Sequence, residues 1–253
     1  MAVAAPVLAL LRQLVPRRLL EWRNARIRKR MRVRNQGRSP REIFSEIYAK
    51  AQWGGRRGDF YSGRGSDPLV TRAYCDAVRE FIVGHGIRSV VDLGCGDFEV
   101  GSRIQCLGVS YVGVDVVPSL VERNRRLYGN AALRFECLDI VEDELPSADL
   151  YLVRQVFQHL SNRQILAVLA KFGESSHVIV TEHYPANMDA CVPNLDKPAG
   201  ADTRVVDDSA VFLDRPPFDR TTRLLLATEA PPTVHPGETL RSFLIGPAIR
   251  QGE

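Results

Sequence analysis

Five short apolar runs, at 89–93, 111–114, 133–136, 149–153 and 177–181, punctuate the middle of the chain. Each has the length and residue content of a buried strand. Between them, stretches near 98–106, 118–128 and 161–172 carry apolar residues at helical spacing. Strands alternating with helices imply a parallel sheet covered by helices on both faces. Two more runs, 222–227 and 240–245, read as the last strands. Residues 187–217 carry four prolines and little periodicity, and read as irregular.

Upstream of this core, Ser39-Pro40-Arg41-Glu42 has the form of a helix start, with Ser39 capping and Glu42 at the third helical position. A helix to about Lys50 follows. Residues 53–66 combine glycine, arginine and the aromatics Trp53, Phe60 and Tyr61. A long loop carrying such rings is costly to leave solvated, so a lid over a site is expected. A helix over 68–83 ends at Gly84 and Gly86. Before all of this, Leu8, Leu11, Val15, Leu19 and Trp22 recur at helical spacing, interrupted by Pro16. The organisation expected is a basic segment over 1–38, a helical cap with its lid loop over 39–84, and an α/β domain over 85–253.

The chemistry is concentrated where the first strand ends. Residues 90–97 read Val-Val-Asp-Leu-Gly-Cys-Gly-Asp, and about twenty residues later Tyr-Val-Gly-Val ends on Asp115. Glycines at the turn let the backbone approach a ligand and tolerate positive φ. A carboxylate at the end of the next parallel strand can accept from both hydroxyls of a ribose. A dinucleotide fingerprint would place a third glycine where Glu99 stands. Asp97 and Glu99, expected in the first helical turn, would repel a pyrophosphate and suit a cationic ligand.

On these residues the chain resembles the class I S-adenosylmethionine-dependent methyltransferases. The resemblance rests on Val91-Asp92-Leu93-Gly94-Cys95-Gly96-Asp97, Gly113-Val114-Asp115, Leu138-Asp139-Ile140, and 149–154 followed by His159-Leu160. It covers roughly residues 70–183. It implies a Rossmann-like, doubly wound, mostly parallel seven-stranded sheet ending in an antiparallel hairpin. It further implies that Asp92, Gly94, Cys95, Gly96 and Asp97 lie against the methionine part of S-adenosylmethionine. Asp115 would hold the ribose, Asp139 would meet the adenine amino group with Ile140 packing on the ring, and Val116 belongs to the same cofactor set. Arg154 and Gln155, after the fourth strand, complete the cofactor set. Each aspartate alone has a plainer reading, as a cap for the following helix. Cys95 is also read as a small buried side chain.

Transfer of a methyl to a hydroxyl needs a base for the departing proton. His159, Glu182 and His183 follow the fourth and fifth strands and are the candidates, His159 having structural and catalytic readings side by side. Trp53, Tyr61, Arg64, Ser66, Arg154 and Tyr184 are the expected lid and acceptor-side groups. Arg154 would suit an anionic or sugar acceptor, or would pair with Asp97 or Glu99. A weaker likeness, in the loop before the core and the segments after 154 and 187, is to bacterial methyltransferases of glycan pathways. The expectation is O-methylation of a small-molecule or glycan acceptor at a sugar hydroxyl or phosphate. The alternatives are an RNA methyltransferase with a basic arm, and a non-catalytic cofactor-binding protein docked on a membrane assembly. Arg154-Gln155 stands where many amino-group methyltransferases carry an Asn/Asp-Pro-Pro-aromatic motif, which argues against base N-methylation.

Composition alters this picture only at the N-terminus. The chain is 253 residues with a net charge of +4. Residues 1–38 hold eleven arginines and lysines against Glu21 alone, so the remainder is acidic. That segment fits an anionic membrane surface, a nucleic-acid arm, or a packed helix with a solvated arginine face. No apolar run approaches a bilayer-spanning length, and no charged n-region or cleavage site suggests a secretory signal. Five cysteines without a C-x-x-C point to reduced thiols in the cytoplasm. The histidines at 85, 159, 177, 183 and 235 have no ligand spacing, so no metal is expected.

Overall fold

A computed structural model of the chain describes residues 17–105, 108–173 and 175–246. The expectations for Leu8, Leu11 and Val15 and for Cys106 lie outside them. Helix α1 (Arg17–Asn35) leads into α2 (Pro40–Ala49). Helix α2 begins as its sequence dictates. The Ser39 side chain accepts from the Glu42 amide and Glu42 reaches back to the Ser39 amide, closing a capping box. A short 3₁₀ turn at Arg64–Ser66 precedes α3 (Pro68–Gly84).

The core follows as β1 (Ser89–Leu93), α4 (Gly101–Ile104), β2 (Ser110–Asp115), α5 (Pro118–Tyr128), β3 (Leu133–Cys137), β4 (Leu150–Arg154), α6 (Asn162–Leu169) and β5 (His177–Tyr184). After a short pair, β6 (Val192–Pro193) and β7 (Ser209–Ala210), the chain ends in β8 (Arg223–Glu229) and β9 (Thr239–Ile245). The large sheet has seven strands in the order β3-β2-β1-β4-β5-β9-β8. Its first five strands are parallel, and β9 and β8 are antiparallel. Strand order reverses between β1 and β4, the place where such sheets open a crevice beyond their carboxyl ends. This is the Rossmann-like architecture with a terminal hairpin.

Two apolar layers cover the sheet. Ile43 and Ile47 of α2 and Ile165, Val168 and Leu169 of α6 pack on one face with Val91, Val153 and Val180. Tyr74, Val78 and Phe81 of α3 and Val121 of α5 pack on the other with Val90, Leu150 and Ile179. The four thiols among the described residues, Cys75, Cys95, Cys137 and Cys191, are free.

Three expectations are corrected. The helix expected near 98–106 shrinks to the four residues of α4, because Phe98 adopts φ +64° and cannot start a helix. Its ring is fully buried, edge-on to Tyr111 and Phe135. Burying a phenyl group gains roughly 1.5–3 kcal/mol, enough to offset a left-handed backbone costing about 1–2 kcal/mol. Asp97 and Glu99 therefore precede the helix rather than sit in its first turn. Strand β5 runs to Tyr184, beyond the expected 181, because β9 pairs along it from Val178 to Tyr184.

The segment over 187–217 lacks periodicity because buried polar side chains organise it. Asn194 Nδ2 donates to the carbonyls of Phe212 and Pro216, and its Oδ1 accepts from the Phe212 amide. The buried Arg204 donates to the carbonyls of Leu195 and Leu160. Helix α1 is fastened to this segment by Asn35 Nδ2 on the Ala199 carbonyl and by Arg32 on Asp202 and Asp207.

Candidate active site

The turn after β1 is built by backbone hydrogen bonding. The amides of Gly94 and Cys95 both donate to the Val114 carbonyl, at 2.8 and 2.9 Å. Gly94 and Gly96 have φ of +75° and +56°. A Cβ on Gly94 would meet Val156 at 2.5 Å, and one on Gly96 would meet Ser62 Oγ at 2.5 Å. Glycine is needed here both for conformation and for space.

This turn borders a cavity of about 340 Å³. Every residue expected around the cofactor lines it: Asp92, Gly94, Cys95, Gly96, Asp97, Asp115, Val116, Asp139, Ile140, Arg154 and Gln155. The wall is strongly acidic. Asp115 accepts from the amides of Gly96 (3.1 Å) and Val117 (3.0 Å). Burial pushes its carboxyl up to about 6 against the pull of those amides. Asp92 accepts from the Tyr111 hydroxyl and is likewise pushed up to about 6 by burial. Asp139 accepts from the Val141 amide, and burial raises its pKa too. Asp115 and Asp139 thus do bind the first amides of the following segments, as caps would. A carboxylate has about four lone-pair sites, so each retains acceptor capacity toward the cavity. Four aspartates desolvated on one wall, with no paired cation among them in the described residues, favour a ligand that is cationic and rich in donors.

The loop over 53–66, expected as a lid, is tied to the glycine turn. Ser62 N donates to Asp97 Oδ2, the Asp97 amide donates to Ser62 Oγ, and the Tyr48 hydroxyl lies 2.9 Å from the same Oγ. Trp53 reaches the far wall through Nε1 on the Ala201 carbonyl. Trp53, Arg64 and Ser66 line the cavity. Tyr61 and Tyr184, expected beside them, do not: Tyr61 OH donates to Asp67 Oδ1, and the buried Tyr184 OH donates to the Val211 carbonyl. Glu99 also lies outside it, paired with Arg103. Arg154 pairs with neither Asp97 nor Glu99. Its guanidinium donates to the Gly65 carbonyl (2.8 Å), lies 5.1 Å over the Tyr74 ring and lines the cavity.

The three candidate bases separate clearly. Glu182 is 2% exposed, and its two oxygens accept from the amides of Phe157 (2.8 Å) and Gln158 (3.1 Å). It does not line the cavity. Its carboxyl, pushed up to about 8 chiefly by burial, anchors the turn after β4. His159 lines the cavity with its ring 5.2 Å from that of Trp53. Its Nδ1 faces the Gly200 carbonyl at 3.0 Å, which requires the proton there and leaves Nε2 as the acceptor. Burial, with Lys197 nearby, pulls its pKa down to about 4, so the ring is neutral. His183 also lines the cavity, with Nε2 2.9 Å from Glu238 Oε2. That contact is close but not aligned as a hydrogen bond. Burial lowers the His183 pKa, and Glu238 opposes the shift.

Sequence reasoning missed several lining residues. Phe44 and Tyr48 come from α2, Tyr74 from α3, and Pro231, Pro232 and Thr233 from the β8–β9 connection. Glu238 holds that connection by accepting from the amides of Thr233, Val234 and His235. The helical residues carried only the signal of an ordinary apolar face. Among the described residues no group of three or more His, Cys, Asp or Glu is placed to hold a metal.

Residues 91–172 match the family model described as a methyltransferase domain. No curated protein sequence matches the chain. Among solved structures, the N-methyltransferase NodS from Bradyrhizobium japonicum WM9, in complex with S-adenosyl-L-homocysteine, aligns with a TM-score of 0.52 at 12% identity. The alignment covers 80% of this chain and 98% of that one. Magnesium protoporphyrin IX methyltransferase (ChlM) from Synechocystis PCC 6803, with bound S-adenosyl-L-homocysteine, aligns with a TM-score of 0.49 at 12% identity, covering 82% and 100%.

Proposed function

We propose that the protein is an S-adenosylmethionine-dependent methyltransferase that methylates a hydroxyl of a small-molecule or glycan acceptor. The observation that carries this reading is the single cavity in which the glycine turn, Asp92, Asp97, Asp115 and Asp139 converge. The match of the central residues to a methyltransferase domain supports it. The lining fits the cofactor in charge and in donor demand. In this reading Asp115 accepts from the ribose hydroxyls, and Asp139 from the adenine amino group beside the Ile140 side chain. Asp92 and Asp97 flank the glycine turn, where an ammonium would lie, and Arg154 is a cation available to a carboxylate. Bound there, S-adenosylmethionine supplies an electrophilic methyl on a sulfonium, which leaves as a neutral thioether.

The chain's own task is to orient the acceptor, exclude water and take one proton. The acceptor oxygen forms its bond to the methyl carbon as the carbon–sulfur bond breaks, and the hydroxyl proton must leave. His183 is the base this geometry favours. Among the described residues no protein hydrogen bond reaches its Nδ1, and Glu238 stands at Nε2 to stabilise the imidazolium. Burial works against the Glu238 carboxyl, but the three backbone amides outweigh it and hold its pKa below the usual value, so it stays anionic. Glu182 is proposed as the anchor of the turn after β4 and His159 as a neutral wall with Trp53. The test is calorimetric titration with S-adenosylmethionine, followed by transfer of a tritiated methyl to a panel of sugars and phenols. Cofactor binding with label on a hydroxyl supports the reading. Absence of binding, or label found only on amines, overturns it.

A further inference from the structure

Helix α1 presents two unlike faces. Arg28, Met31, Arg32 and Asn35 are partly or fully covered, and Arg32 and Asn35 hold the helix to the segment around 199–207. On the opposite side Trp22, Arg26, Lys29 and Val33 recur at helical spacings of four, three and four, flanked by Arg23 and Arg30. All six are exposed, Trp22 at 58% and Val33 at 60%. Among the described residues none of the four cations forms an ion pair, whereas Arg32 and Arg34 on other faces do. The Arg26 guanidinium lies 5.3 Å over the Trp22 ring.

From this we infer that the outer face of α1 is a docking surface for an anionic lipid bilayer. Charge complementarity names the partner's sign: four cations line one stripe, and no carboxylate of residues 22–35 offsets them. The bracketing by Trp22 and Val33 distinguishes a headgroup layer from a nucleic acid. A phosphate backbone gains nothing from an exposed valine. A headgroup layer takes indole and aliphatic groups at its apolar boundary while the arginine and lysine heads stay with the phosphates. Among the described residues no helix is long and apolar enough to cross a membrane. The clamp from α1 reaches the segment that supplies Ala201 and Thr203 to the cavity. A docked protein would therefore hold its cavity at a fixed place relative to the surface.

The test uses the full chain and sedimentation with vesicles of phosphatidylcholine alone or mixed with phosphatidylglycerol. Binding is expected only to the mixed vesicles, with a blue shift of tryptophan emission that Trp22→Phe removes. Replacing Arg26, Lys29 and Arg30 together by Gln should weaken partitioning on the order of a hundredfold, with circular dichroism unchanged. Three results would overturn the inference: equal binding to both vesicle types, an unaffected triple variant, or no vesicle binding while polyuridylate RNA binds. None of them touches the cofactor assignment, which is read separately by calorimetry.

Discussion

Asp115→Asn separates the proposed binding role of this carboxylate from its structural one. The substitution keeps the side chain's size and removes its charge. In the folded protein Asp115 holds the amides of Gly96 and Val117, at 3.1 and 3.0 Å, yet its carboxyl is still pushed up to about 6 from 3.8, burial being the largest cause. A shift of about two units corresponds to about 3 kcal/mol of net cost for carrying the charge at neutral pH. Asparagine removes that cost and forfeits one amide acceptor, worth about 1–1.5 kcal/mol in a buried setting. Unliganded stability should therefore be unchanged or rise by about 1–2 kcal/mol. Cofactor binding should fall steeply. Charge-assisted hydrogen bonds to two ribose hydroxyls contribute about 1.5–3 kcal/mol each, so affinity for S-adenosylhomocysteine should drop on the order of a hundredfold or more. Denaturant unfolding and calorimetric titration read the two quantities separately. A variant that binds within threefold of wild type, or one that loses stability and affinity together, would show that Asp115 does not hold the ribose in this way.

Other predictions test other parts of the site. Gly96→Ala sets a Cβ 2.5 Å from Ser62 Oγ at φ +56°, so it should abolish calorimetric cofactor binding and lower stability by about 1–2 kcal/mol. Because Asp115 accepts best when ionised, cofactor affinity should decline as pH falls through about 6, a decline that titrations at pH 5 to 8 would follow. The Glu182 carboxyl, raised from 4.5 to about 8 mainly by burial, contributes stability that is full below the unfolded value and lost as pH rises through 8. The stability of wild type relative to Glu182→Gln should thus fall steadily between pH 5 and 8 in unfolding curves. Glu238→Gln should slow methyl transfer about 10²-fold or more with cofactor affinity retained, and shift the pH profile of the rate.

The cavity wall formed by the glycine turn and its aspartates was legible because its chemistry is local in sequence. A turn requiring Gly94 and Gly96, and carboxylates at the end of β2 and just beyond β3, show in short segments whatever the rest of the chain does. The opposite wall, proposed to face the acceptor, was not. Glu182 and His183 are adjacent on β5, where successive side chains point to opposite faces. Nothing in the sequence says which one meets the cavity. Their separation follows from Phe157 and Gln158 donating to one and Glu238 meeting the other, at separations of 24 residues or more. Phe98 misled because its buried ring overrides the helical pattern around it. Tyr61 and Tyr184 misled because an aromatic in a loop or strand end satisfies its hydroxyl as readily on Asp67 or Val211 as on a ligand. The segment over 187–217 was opaque because polar side chains hold it, and these leave no hydrophobic period to read.

The most direct measurement is a crystal structure grown with S-adenosylhomocysteine. Ribose hydroxyls are expected within hydrogen-bonding distance of Asp115, adenine between Asp139 and Ile140, and the thioether sulfur facing an open space that His183 borders. An empty cavity at saturating ligand, or an adenosine bound away from the turn at Gly94–Gly96, would contradict it.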